Sequence, residues 1–132
     1  MDAIREIASF VRGLSFDDLP GTVVEHDKYL ILDTLACGLA GSAAPGSREL
    51  ARWALEIGGS AQASLLVFGG RLPAIHAGMV NATFFQALDF DDTHDRAIIH
   101  THCTCLSTAL AVAEYAKHID GRQLLTSVVL GA

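Results

Sequence analysis

Between Leu88 and His102 the chain carries four carboxylates, Asp89, Asp91, Asp92 and Asp95, and three imidazoles, His94, His100 and His102. The sequence on either side is strongly apolar. Charged side chains resist burial unless they are paired or used. A polar knot between two apolar helical segments is therefore where chemistry is expected. Carboxylates and imidazoles in one stretch suit two kinds of work, metal ligation and proton transfer.

The metal readings are poor. Asp91-Asp92-Thr93-His94-Asp95 matches the short DDxxD pattern. In that pattern helical carboxylates one turn apart hold magnesium ions against a diphosphate. Such sites need a second metal motif and a longer bundle, and this sequence has neither. His100, His102, Cys103 and Cys105 are spaced too tightly for the usual paired ligands of zinc. No metal is expected. A bland reading also stands for several of these residues taken singly. Asp91, Asp92 and Asp95 read as part of a solvated turn, with Thr93 or Asp95 capping the next segment. His94 and His102 read as surface residues.

The elements that must position the knot are helical. Ile4, Ile7, Ala8, Val11 and Leu14 recur at helical spacing, which predicts an amphipathic helix over 2–13. Ser15 and Asp18 resemble a capping box, and Pro20 suits a first helical turn. A second helix is predicted over 20–39, presenting Val23, Asp27, Leu30, Ile31, Thr34 and Leu35 to one side. Its small-residue end, Ala36, Gly38, Ala40 and Gly41, permits close packing. A third helix spans 47–57 and is closed by Gly58-Gly59. The run Ser64 to Phe68, followed by Gly69-Gly70, predicts at most a short hairpin near 64–72. Pro73 opens a fourth helix that leads to the knot. A fifth covers 103–117, and Asp120 caps a sixth. The expected fold is an all-α helical bundle.

Bulk properties exclude several functions. The chain has 132 residues, enough for one domain. It is 51% hydrophobic with a net charge of −6 and no basic stripe, which argues against nucleic-acid binding. The most apolar run, from Tyr29 to Ala44, is too short for a membrane span and is interrupted by Asp33. The N-terminus lacks a signal-peptide core, so a cytoplasmic protein is expected. Cys37, Cys103 and Cys105 are odd in number and read as reduced thiols. A mean hydropathy of +0.37 is high for a chain this short, which points to self-association.

Several segments together resemble the N-terminal part of the MmgE/PrpD family. This family includes 2-methylcitrate dehydratase, cis-aconitate decarboxylase and iminodisuccinate epimerase. Leu32-Asp33-Thr34-Leu35 with Leu39-Ala40-Gly41 resembles its LDTLG…LAG segment, and Val67-Phe68-Gly69-Gly70 its VFGG turn. Asn81 and Ala87-Leu88-Asp89-Phe90-Asp91-Asp92-Thr93-His94 resemble its NG…ALDFDDTH motif. His100 falls at the histidine of its HP pair. Leu110 to Glu114 and Leu124 to Gly131 continue the match. The chain departs from the pattern at Ala82, Gln86 and Thr101, and its segment from Thr93 to His100 is shorter than in 2-methylcitrate dehydratases.

The resemblance implies a lyase or isomerase that moves a proton next to a carboxylate of a small di- or tricarboxylate, without a cofactor. It implies that His100 and Asp89 are catalytic and that Thr93 and Asp92 contact the substrate. His100 is the natural acid or base because imidazole titrates near neutral pH. Thr93 can donate to a substrate carboxylate. Asp89 precedes Thr93 by four residues, so a helical turn would place both on one side. Family enzymes are much longer, with an α+β domain facing the helical one. The chain is accordingly expected to be a fragment or split subunit. It would be inactive alone, complemented by the missing portion or a companion chain, and homo-oligomeric. The alternative is a non-catalytic helical assembly module or a decayed remnant.

Overall fold

The computed structural model describes residues 2–132. Within them the apolar spacing resolves into six α-helices and one two-stranded hairpin, an all-α bundle as expected. Helix α1 (Ala3–Gly13) starts where the Asp2 side chain accepts from the Ile4 amide at 3.2 Å. A single 3-10 turn, Phe16–Asp18, carries the capping box foreseen at Ser15 and Asp18. Helix α2 (Gly21–Gly41) follows Pro20. Helix α3 (Ser47–Ile57) is closed by Gly58 at a φ of 66°, a left-handed conformation that glycine adopts at little cost. Strands β1 (Ala63–Ser64) and β2 (Arg71–Leu72) pair antiparallel with Ala63 opposite Leu72. Helix α4 (Ala74–Gln86) leads into the knot, and α5 (His102–Ala116) leaves it. Helix α6 (Gly121–Gly131) begins at a capping box between Asp120 and Gln123.

Two apolar clusters fill the bundle. Ala51, Ala54, Leu65, Leu72, Ala77, Val80 and Phe84 join α3, the hairpin and α4. Phe85, Cys103, Leu106 and Val128 join α4, α5 and α6. The hairpin is tied to the helices by polar bonds as well. Asn81 of α4 accepts from the Leu66 amide and donates to the Ser64 carbonyl, each at 3.0 Å. Glu114 of α5 accepts from Ser64 and pairs with Arg71 at 2.7 Å. Burial pushes the Glu114 carboxyl up, but the Ser64 hydrogen bonds and Arg71 outweigh it and leave it below the usual range.

Helix α2 turns inward the side predicted for it, centred on Asp27 and Thr34 with Leu30 and Ile31 half-buried, but small residues rather than large apolar ones make its closest contacts. Val24, Asp27, Thr34, Cys37, Gly38 and Gly41 face inward, while Val23 and Leu35 stay exposed. The reason is close approach. A Cβ on Gly38 would collide with the Phe85 ring, and one on Gly41 with the Phe84 carbonyl oxygen. Backbone proximity to α4 therefore sets the rotation of α2, and side-chain volume is secondary. Helix α1 buries nothing, and Ile4, Ile7 and Phe10 lie open. Among the described residues no helix is long and apolar enough to cross a membrane.

Gly41→Ala should destabilise the fold by about 1–3 kcal/mol, since a backbone carbonyl cannot move aside cheaply. Gly21→Ala, where nothing lies within 4 Å, should be neutral or slightly stabilising. Urea denaturation midpoints of the two variants check this, and equal losses would refute it.

Candidate functional site

The knot lies between the end of α4 and the start of α5, and it is not helical. Helix α4 stops at Gln86, and Asp89 adopts a left-handed φ of 53° after its amide bonds the Gln86 carbonyl. Aspartate tolerates that conformation better than most residues. The helical-turn argument that grouped Asp89 with Thr93 therefore fails, because no helix spans them. Residues 94–99 form a tight reversal closed by a bridge between His94 and Ile99. Ile98 sits at a φ of 54°, which is strained for a β-branched side chain.

His102, the first residue of α5, is sealed inside, with only 4% of its side chain exposed. Its Nε2 lies 3.1 Å from Asp27 Oδ1 on α2, and its Nδ1 lies 3.0 Å from Asp92 Oδ2. The imidazolium form donates from both nitrogens and so satisfies both contacts at once. Asp92 does more. Its Oδ1 accepts from the His102 amide at 3.1 Å, and its Oδ2 accepts from the Thr101 hydroxyl at 2.9 Å. The carboxylate thus satisfies an otherwise open amide at the positive end of α5. Burial pushes the Asp92 carboxyl up. The hydrogen bonds from His102 and Thr101 and the charge of the imidazole outweigh that and hold it below the usual carboxylate range.

His100 occupies a boundary position, with 22% of its side chain exposed. Its Nε2 is 3.3 Å from Oδ1 of the largely exposed Asp89, and its Nδ1 is 3.2 Å from Oδ1 of Asp91. The Asp91 side chain is completely buried. The thiol of Cys103 donates to the His100 carbonyl at 3.4 Å. Burial, and then the charge of Asp91, push that thiol up to about 11, so it remains protonated and is no nucleophile at neutral pH.

These positions correct several expectations. Asp91 and Asp92 are not part of a solvated turn, and His102 is not a surface residue. Asp95 and His94 are exposed, as expected. The structure brings His100 and Asp89 together. Thr93 is exposed in the same loop and hydrogen-bonds to neither. Both oxygens of Asp92 are engaged by protein donors. Motif reasoning missed Asp27, although one carboxylate among inward-facing helical positions was a usable signal. Among the described residues no group of three or more His, Cys, Asp or Glu side chains is arranged to hold a metal ion.

The larger cavities lie elsewhere. One of about 440 Å³ runs between α5 and α6, and one of about 640 Å³ lies between the α1 end and α6. A small one of about 150 Å³ is lined by Asp27 and His102. None of these three is lined by Asp89, Thr93 or His100. Around those residues Leu88, Phe90, Ile98 and Ile99 are exposed, 80% for Phe90 and 83% for Ile98.

Residues 5–132 match the MmgE/PrpD N-terminal domain, and the chain belongs to that family. It is 31% identical over 130 residues to cis-aconitate decarboxylase of Aspergillus terreus, a match that covers 96% of this chain and 26% of that protein. A cis-aconitate decarboxylase-like protein of Aspergillus oryzae is 30% identical, covering 96% of this chain and 27% of its own length. Human cis-aconitate decarboxylase is 31% identical over 113 residues, covering 83% of this chain and 23% of its own. The chain thus spans about a quarter of the length of these relatives.

His102→Ala leaves two inward carboxylates without their shared donor. It should cost on the order of 3–5 kcal/mol, as breaking a buried ion pair does. His94→Ala, at an exposed site, should stay within about 0.5 kcal/mol. Urea denaturation separates the two. For Asp92 the folded pKa lies below the unfolded one. Its contribution is therefore complete above the ordinary aspartate value, about pH 4, and is lost as pH falls below it. An acid titration followed by circular dichroism should show wild type losing stability in that window more steeply than Asp92→Asn.

Proposed function

We propose that this chain forms one wall of an active site that moves a proton at a carbon next to a carboxylate group. The substrate is a small di- or tricarboxylate, and decarboxylation of cis-aconitate is the reaction its relatives favour. The observation that carries this is His100, a half-buried imidazole held between two carboxylates with one nitrogen toward the open side. Decarboxylation breaks the bond to the departing CO₂ and leaves its electron pair in the conjugated system. A proton must then be delivered to carbon. An imidazole near its own pKa is suited to that delivery and to the reverse abstraction.

In this reading His100 is the acid–base group, and Asp89 orients it or a cationic group facing it. Thr93, exposed in the same loop, donates to a substrate carboxylate. Asp92 enters as a positioning group, because both its oxygens are already used. The ion pairs within the knot are all between carboxylates and imidazoles. A polyanionic substrate needs cationic donors as well. These would come from sequence corresponding to the rest of the relatives' length, or from a companion chain. The exposed apolar rim of Leu88, Phe90, Ile98 and Ile99 suits such a covering partner.

The test is a graft. The chain alone should show no turnover of cis-aconitate. Substituted for the matching segment of the Aspergillus terreus enzyme, it should support decarboxylation. In that chimera His100→Ala should lower kcat about a hundredfold or more. Full turnover without His100 would overturn the proposal.

A further inference from the structure

Asp91 is the least solvated carboxylate in the knot and the worst provided for. Its side chain is fully buried, yet neither oxygen has a hydrogen-bond donor in proper geometry. An ionised carboxylate left so would cost several kcal/mol by desolvation alone. Two donors are within range. The Cys103 thiol already donates to the His100 carbonyl. The other is His100 Nδ1, which is itself buried without a partner and lies 3.2 Å from Asp91 Oδ1. Two unsatisfied groups thus face each other, bent out of alignment. A rotation about the soft Cβ–Cγ torsion of the imidazole is the cheapest way to satisfy both.

We infer that Asp91 is a positioning residue that fixes the tautomer of His100. Its carboxylate accepts the Nδ1 proton, so in the neutral imidazole the lone pair resides on Nε2. That nitrogen is the one on the open side, 3.3 Å from Asp89 Oδ1 without a hydrogen bond to it, so the outer carboxylate attracts the ring only when Nε2 takes up a proton. The arrangement follows the logic by which a buried aspartate orients a catalytic histidine. Asp89 cannot do this work, because its carboxylate is 80% exposed and meets the other nitrogen. The two carboxylates thus divide their roles by burial. The inner one sets which nitrogen carries the proton, and the outer one faces the nitrogen that does the chemistry.

This inference rests on the proposed role of His100, but its test reads the imidazole directly. The ¹⁵N-labelled chain is measured by long-range ¹H–¹⁵N correlation at about pH 8, where an ordinary imidazole is neutral. His100 is assigned by the loss of its signals in His100→Gln. The expected result is a protonated Nδ1 and an unprotonated Nε2, the opposite of the tautomer that free histidine prefers. Asp91→Leu, which removes the acceptor and keeps the volume, should swing His100 to mostly Nε2–H. Asp91→Asn retains a carbonyl acceptor and should keep the proton on Nδ1, as should Asp89→Asn. A wild-type His100 that is mainly Nε2–H would overturn the inference. So would an unchanged tautomer in Asp91→Leu with a native circular dichroism spectrum. Should Asp91→Leu fail to fold, the wild-type tautomer decides. A chimera that turns over without His100 would refute the proposed function while leaving the tautomer result standing.

Discussion

The contact on which the site depends is the buried imidazole of His102 between Asp27 and Asp92. It joins three pieces of chain: the first third of α2, the irregular loop after α4, and the first turn of α5. Each partner alone would be a liability in the interior. Together they satisfy one another, and Asp92 also engages the Thr101 hydroxyl and the first amide of α5. The loop that carries Asp89, Thr93 and His100 is thereby fixed near its middle as well as at its two helical ends. A network of this kind is sensitive to completeness, because removing one member leaves the others buried and unpaired.

Asp27 reaches His102 only because α2 is set at the right rotation and depth. Gly41 and Asp27 are fourteen residues apart, which is about 40° short of four full turns. They lie on nearly the same face. Contact between the Gly38–Gly41 end and Phe84 and Phe85 of α4 seats one end of the helix, and the Asp27–His102 pair seats the other. The two contacts differ in chemistry but constrain the same two degrees of freedom.

Much of the scaffold was legible because its punctuation is local. Gly58 after α3, the Gly69-Gly70 turn, Pro73 before α4 and Asp120 before α6 each act on backbone within a few residues. The burial of Asp27, Asp91 and His102 was not legible in that way. Asp27 and His102 are 75 positions apart, and nothing near either residue states that the other will be there. Composition rules make the surface the default for a lone charged side chain, and here the default fails. The family motif did locate the knot and His100. The helical grouping of Asp89 with Thr93 failed because α4 ends at Gln86, before either residue.

Two histidines separated by one residue have come to different ends, and the difference is instructive about what the site can do. A base engaged on both nitrogens by carboxylates and shut away from the surface has no side left for a substrate. A freely exposed base has a partner in every water and a fixed orientation toward none. His102 meets the first description and His94 is nearer the second. His100 lies between them, with one nitrogen facing a sealed carboxylate and the other facing a surface that is open and rimmed with apolar side chains. Only that middle condition gives an imidazole both a defined orientation and access to a substrate. The same reasoning explains why the acidic residues of the knot are so unequal in exposure. Those that hold the frame must be dry, where each hydrogen bond counts most. The one that meets the reacting side must remain within reach of what binds there.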